Sequence, residues 1–188
     1  MAHRSAPLLL TAALLAAPAG AEPPEPGSTR FGVQYAGLDY DLDATRERAR
    51  PSAVVTRVAH QLTPHFGLEG RLGIRAGGAT ARGRLPDADA AQRLEVRLDR
   101  LTGLYASAHT AVAGRVSGYA LAGYSDTRGT LEADGGSTAG TSARGPSLGL
   151  GLDYAYDADY RVQLEYMRYS DRGDVTLEAI GLGLSVRL

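Results

Sequence analysis

Apolar and polar residues alternate with a period of two over most of the chain beyond residue 30, which predicts strands rather than helices. At the C-terminus, "EAIGLGLSVRL" puts Ile180, Leu182, Leu184, Val186 and Leu188 on one face, with Gly181, Gly183, Ser185 and Arg187 between them. In "YRVQLEY", Tyr160, Val162, Leu164 and Tyr166 oppose Arg161, Gln163 and Glu165. In "SLGLGLDYAY", Leu148, Leu150, Leu152, Tyr154 and Tyr156 oppose Ser147, Gly149, Gly151, Asp153 and Ala155. "FGLEGRLGIR" sets Phe66, Leu68, Leu72 and Ile74 against Glu69, Arg71 and Arg75, and the run 53–62 sets Val54, Thr56, Val58 and Leu62 against Arg57 and Gln61. "RFGVQY" opposes Phe31, Val33 and Tyr35 to Gly32 and Gln34, with a phase change expected at Ala36-Gly37, as a glycine bulge would give. Runs 100–109 and 116–125 are also strands, but the pattern does not assign their faces. Eight strands are predicted.

The connections set the architecture. Short turns ("TPH", "TAVAGR", "DAD") alternate with longer segments at 41–52, 77–93 and 126–144, and the last connection is "SDRGD". Short and long connections therefore gather at opposite ends of the sheet. An even-stranded up-and-down meander follows, and an eight-stranded one can close into a barrel with room inside for side chains and little else.

Either face set could point outward. A lipocalin-like barrel would bury the apolar set, whereas a transmembrane barrel turns it to lipid and keeps the polar set in the lumen. The apolar faces are about five residues long, which at about 3.3 Å per residue and about 40° tilt approaches the roughly 25 Å apolar band of an outer membrane. The opposite set mixes both charge signs, as an enclosed lumen requires. Tyrosines such as Tyr40, Tyr154, Tyr156, Tyr160 and Tyr169 lie near strand ends, where interfacial girdles form. No strand carries the charged outer face of a soluble barrel. The transmembrane arrangement is expected, with a lumen network of Arg57, Glu69, Arg71, Arg75, Asp153, Arg161, Glu165 and Arg187.

Composition adds limits. The N-terminus reads as a secretory signal over 1–21, with Arg4, the apolar stretch "APLLLTAALLAAPA" and the small-residue site "AGA" before Glu22. A Pro-rich leader, 22–29, has no evident reason to order itself, and the barrel domain is expected over 30–188. The chain has no cysteine, so a disulfide scaffold and a Cys-ligated metal are excluded. Its formal net charge is −1 with acids and bases interspersed, which leaves no basic face for nucleic acid. All 20 basic residues are arginines. Beyond residue 22 no apolar run is long enough for a spanning helix.

Gly183, Val186 and Leu188 fit the outer-membrane assembly signal, a Gly followed by apolar residues three and five positions later, although Leu188 stands where Phe or Tyr is usual. Together with the strand and turn pattern and "GYALAGYS" before a Gly-rich segment, this ending resembles the small eight-stranded outer-membrane β-barrels, such as the outer membrane protein A barrel domain and the OmpX-type proteins. The resemblance covers about residues 30–188. It implies an all-β, closed, antiparallel transmembrane barrel in the cell outer membrane, exported through a cleaved signal peptide. The implied role is structural or surface-interacting, without enzymatic activity and without a cofactor or metal.

Some barrels of this kind are lipid A deacylases with a Ser/His/acid set, which draws attention to Ser107 and His109. Strand direction, however, puts His60, His65 and His109 near the periplasmic rim, away from the outer leaflet. They read as structural polar residues. Expected partners are outer-membrane lipid and lipopolysaccharide and the barrel-assembly machinery, with a monomeric chain and the surface ligand unassigned. The competing readings are a lipid-modifying barrel enzyme, a small pore and a soluble periplasmic lipocalin-like binder.

Overall fold

The computed structural model describes residues 25–42, 49–83, 92–134, 136–172 and 175–188. The expected signal peptide lies outside them. The strands are β1 (Thr29–Leu42), β2 (Ser52–Gln61), β3 (Phe66–Gly77), β4 (Ala79–Gly83), β5 (Gln92–Ala113), β6 (Val116–Ala133), β7 (Thr138–Ala155), β8 (Tyr160–Arg172) and β9 (Val175–Arg187). β3 and β4 both pair with β5 and are separated by Gly78 alone, so they form one interrupted stave. Eight staves result, each antiparallel to its neighbours.

The C-terminal alternation is explained by closure. β9 pairs with β1 from Arg30↔Arg187 to Leu42↔Val175, so the last strand seals the first and the unpaired edge disappears. Following cross-strand partners once around the wall gives Tyr154, Val162, Leu184, Val33, Thr56, Leu72, Thr102, Asp126 and then Arg144. The circuit returns to β7 ten residues from where it began. A stagger of that size over eight strands corresponds to a tilt of about 41°, or about 2.5 Å of height per residue.

Side chains alternate in and out as the sequence predicts. Phe31, Val33, Leu68, Ile74, Leu148, Leu164 and Leu182 are exposed on the outer wall, whereas Gln34, Arg57, Glu69, Arg71, Asp153 and Glu165 are buried inside. The two unassigned strands now have faces. Leu104 and Tyr124 point outward, and Tyr105, Ser107, Tyr119, Leu121 and Ser125 are buried. Both strands carry apolar residues on both faces, which is why the alternation alone did not sort them.

Several expectations are corrected. No phase change occurs at Ala36-Gly37: Ala36 and Leu38 are both buried and β1 keeps one register with β9. Most of the segment 126–144 is strand, because β6 runs to Ala133 and β7 begins at Thr138. Its Gly, Ser and Thr residues look like loop composition, but Thr127, Leu131, Ala133 and Ala143 turn inward and are buried. Gly136, at φ 80°, makes the tight reversal between them. Tyr169 is buried in the lumen and joins no girdle. The leader is held down at its end, for Gly27 N donates to Gln61 O at 2.7 Å and Arg187 Nη1 pairs with Glu25 Oε2 at 2.9 Å.

β5, β6 and β7 are longer than the rest and, with β4, extend the wall beyond the apolar belt. On β5 the outer face turns polar at Thr102, and the strand continues to Gln92, about 25 Å further at the inferred tilt. The interior at this hairpin end is apolar. Leu38, Val55, Leu94, Val96, Leu98, Leu101, Leu131, Met167 and Leu177 are buried there against one another. Inside, the barrel is therefore polar toward the short turns and oily toward the long hairpins.

Candidate functional site

The polar half of the lumen is organised around four charges. Arg57 and Arg71 are cross-strand neighbours on β2 and β3, a placement that is unfavourable for like charges unless acids intervene. Glu69, two residues from Arg71, accepts from Arg57 Nη2 at 2.6 Å and from Arg71 Nε. Glu165 arrives from β8 across the lumen and takes both Arg71 Nη atoms at 2.6 Å, with Arg57 Nη1 at 3.3 Å. Its Oε2 also accepts from Tyr119 Oη at 2.9 Å, and its Oε1 from Gln34 Nε2 at 3.4 Å.

Two aromatic rings close over the guanidinium groups. Arg57 lies 5.5 Å from the Tyr119 ring centroid and Arg71 lies 5.0 Å from that of Tyr105. Glycine makes this possible in so narrow a barrel, since a Cβ on Gly151 would collide with the Tyr119 ring. Two positive and two negative charges thus cancel with the donors used. Above them, Tyr105 Oη meets Ser125 Oγ at 2.5 Å, and Ser147 Oγ donates to Ser125 Oγ at 2.7 Å, at the border with the apolar half.

The eight residues expected to share one network divide into groups. Arg57, Glu69, Arg71 and Glu165 form the central knot. Arg161 and Asp153 form a separate buried pair at 3.7 Å. Arg187 sits at the turn-end rim, half-exposed, between Glu25 and Asp159. Arg75 is exposed and outside the knot, although it pairs with buried Ala53, the last regular pair before the β2–β3 register slips. Gln34, Tyr105 and Tyr119 belong to the knot and were not anticipated. Gln34 was on the polar face of a recognised strand, whereas the two tyrosines lie on strands whose faces the alternation left open.

Between the knot and the short turns lies a small cavity of about 30 Å³ lined by Arg30, Gln61, His109, Asp153, Arg161 and Ser185 among others. Buried polar atoms without a protein partner face this region, among them His109 Nδ1, Asp153 Oδ1, Arg161 Nε and Ser185 Oγ. A space of this size suits about one or two water molecules, which both donate to carboxylate oxygen and accept from guanidinium nitrogen. His109 Nε2 lies 3.1 Å from Ser107 Oγ, but His109 Nδ1 meets no acid. His60 is at the turn end, 2.9 Å from Thr29 Oγ1, and His65 is exposed in the turn.

At the closing end, Gly183 faces inward against Gln34, Val186 pairs with Phe31, and Leu188 N donates to Thr29 O at 2.9 Å. Exposed Tyr154, Tyr156 and Tyr160 stand together on the outer wall above the turn joining β7 to β8.

Comparison with known structures agrees with this arrangement. The attachment invasion locus protein Ail of Yersinia pestis superposes with TM-score 0.61 and 16% identity, over 87% of this chain and 100% of that one. Neisserial surface protein A gives TM-score 0.61 and 12% identity, over 85% and 97%. OprG of Pseudomonas aeruginosa gives 0.58 and 12%, over 89% and 99%. Such identities establish the fold alone. No curated protein matches the sequence. The family model described as "Outer membrane protein beta-barrel domain" matches residues 6–187, and the chain belongs to that family of integral outer-membrane barrels.

Proposed function

We propose that this barrel is a sealed, non-conducting and non-enzymatic wall element that displays its β4–β7 extension at the cell surface. The observation that carries this reading is the doubly stopped lumen. The Arg57–Glu69–Arg71–Glu165 knot fills one half, with Arg71 fully buried on Glu165, and the apolar packing of Leu94, Val96, Leu98 and Leu101 fills the other. Hydrated ions would have to break the first and wet the second. A deacylase reading is disfavoured because His109 lacks an acid and lies inside the wall near the short turns.

In this reading the short turns and both chain ends face the periplasm after removal of residues 1–21. Gly183, Val186 and Leu188 present the assembly signal to the barrel-assembly machinery. The chain is a monomer surrounded by phospholipid and lipopolysaccharide.

Two measurements test the proposal. Purified barrel in planar bilayers is expected to give no stable conductance steps, and frequent ohmic openings would refute the sealed lumen. An epitope tag beside Gly136 is expected to label on intact cells, while a tag beside Asp157 labels only after the outer membrane is breached. The reverse pattern would invert the orientation.

A further inference from the structure

The outer wall of β3, β5 and β6 carries an arrangement that neither closure nor a sealed lumen requires. At the upper border of the apolar belt, Ile74, Arg100 and Arg128 are successive cross-strand neighbours, so two arginines stand directly opposite each other. Both are exposed. Like charges in that position repel, and neither finds an acid among the described residues. Asp99, in the bulge beside Arg100, turns its carboxylate to Thr130 Oγ1 at 2.7 Å, and Asp126, one row below at the edge of the groove, is engaged by Arg144 at 2.8 Å.

Immediately beneath runs an open groove of about 550 Å³ lined by Thr56, Val58, Gly70, Leu72, Leu104 and Tyr124. Gly70 leaves the depression: it lies between Val58 and Leu104 in the register, where its neighbours carry side chains. A Cβ there would make only ordinary contact, 3.7 Å from Leu104 Cδ2, so packing of the wall does not demand glycine. The groove opens toward the bilayer and ends below two guanidinium groups that make no ion pair among the described residues.

The geometry points to a seat for the phosphorylated, multiply acylated glycolipid of the outer leaflet, with Arg100 and Arg128 on a phosphate and one acyl chain along Gly70. Guanidinium groups bind phosphate oxygens through paired N–H donors, and a phosphate relieves the Arg100–Arg128 repulsion. The acyl chain fills what the missing side chain of Gly70 leaves open. The assignment rests on the membrane orientation proposed above, which puts the belt's upper border at the outer leaflet.

The test uses native protein, Arg100→Gln/Arg128→Gln and Gly70→Leu, each folded into phosphatidylcholine vesicles containing a minor fraction of fluorescent lipid A. Parallel vesicles carry fluorescent phosphatidylglycerol. Lipid retained in the annulus after detergent exchange is read by fluorescence, and heat-dependent gel migration of each sample reports membrane folding separately. Native protein is expected to enrich lipid A over phosphatidylglycerol. The double variant should lose roughly five-fold per arginine, as expected for one cation at an anionic surface. Gly70→Leu should lower lipid A retention while leaving capture of the deacylated phosphosugar unchanged. Equal retention by all three proteins would overturn the seat, as would equal enrichment of both anionic lipids. Loss of the gel shift in native protein would instead count against membrane residence.

Discussion

Arg71 and Glu165, 94 residues apart in sequence, face each other through two parallel hydrogen bonds of 2.6 Å across the barrel lumen. The pair couples β3 to β8, strands that share no backbone ladder. Removing one partner leaves the other buried and uncompensated, a loss of about 3–5 kcal/mol. Glu165→Gln is therefore expected to lower unfolding free energy by about that amount in urea titrations from vesicles. Replacing Arg71 and Glu165 together with Met should recover most of it. A single variant as stable as native protein would mean that the lumen solvates the charge without Glu165.

Gly151 and Tyr119 make a steric pair. Gly151→Ala should push the Tyr119 ring off Glu165 and cost about 1–3 kcal/mol, the usual penalty of overpacking. Tyr119→Leu should cost stability by itself but remove the clash, so the double variant is expected to be less damaged than the sum of the singles. Strict additivity would show that the two positions do not touch.

Leu182 stands on the outer wall near mid-height of β9, between Leu188 at the rim and Glu178 at the upper border. Leu182→Arg puts a charge in hydrocarbon, about 2–4 kcal/mol near the midplane. The loss should shrink in thinner bilayers, as folding titrations in two lipid lengths would show. Equal losses in both would remove the basis for treating this face as the lipid face.

Asp157 lies in the turn from β7 to β8, where its Oδ1 accepts from Tyr160 N at 2.7 Å and Asp159 N at 2.8 Å. These bonds favour the carboxylate and hold its pKa below the ordinary aspartate range. A group depressed on folding contributes stability above its unfolded pKa, and that contribution is lost as pH falls through the folded value. Asp157→Ala should therefore be less stable than native protein at neutral pH, with the gap narrowing in acid. A gap independent of pH would assign the effect to turn geometry alone.

Much of this architecture was legible in the residues. Period-two alternation in "YRVQLEY" or "FGLEGRLGIR" is decisive because one face is charged and the other oily, so the register and the wet side are fixed together. It failed on β5 and β6 for a physical reason. The runs 100–109 and 116–125 carry apolar residues on both faces, with Leu101, Tyr105, Tyr119 and Leu121 buried inside and Leu104 and Tyr124 exposed outside, so neither face is marked as the oily one. Of the knot, the charged members were visible as inward positions of clean strands. That Glu165 pairs with Arg71 and Arg57 across the lumen, and not with Arg161 four residues away on its own strand, depends on the ten-residue stagger, which no local pattern encodes. Arg75 has the parity of Glu69 and Arg71 but stands at the end of the regular β2–β3 ladder, where it is exposed, and alternation alone does not show where a ladder ends.

The ladders of the wall are unequal, and that has a mechanical consequence. β7 pairs with β6 along almost its whole length but with β8 only from Leu148 to Ala155, while β9 holds β1 from Val175 to Arg187. The junction of the chain's two ends is thus a long seam, and the shortest one lies between adjacent strands joined by a tight turn. A bulge between Arg168 and Ser170 carries β8 away just where β7 continues upward. Pulled by the β6–β7 hairpin, as a cell-surface contact would pull it, the wall would tear at β7–β8 first, and the closure between first and last strands would outlast it.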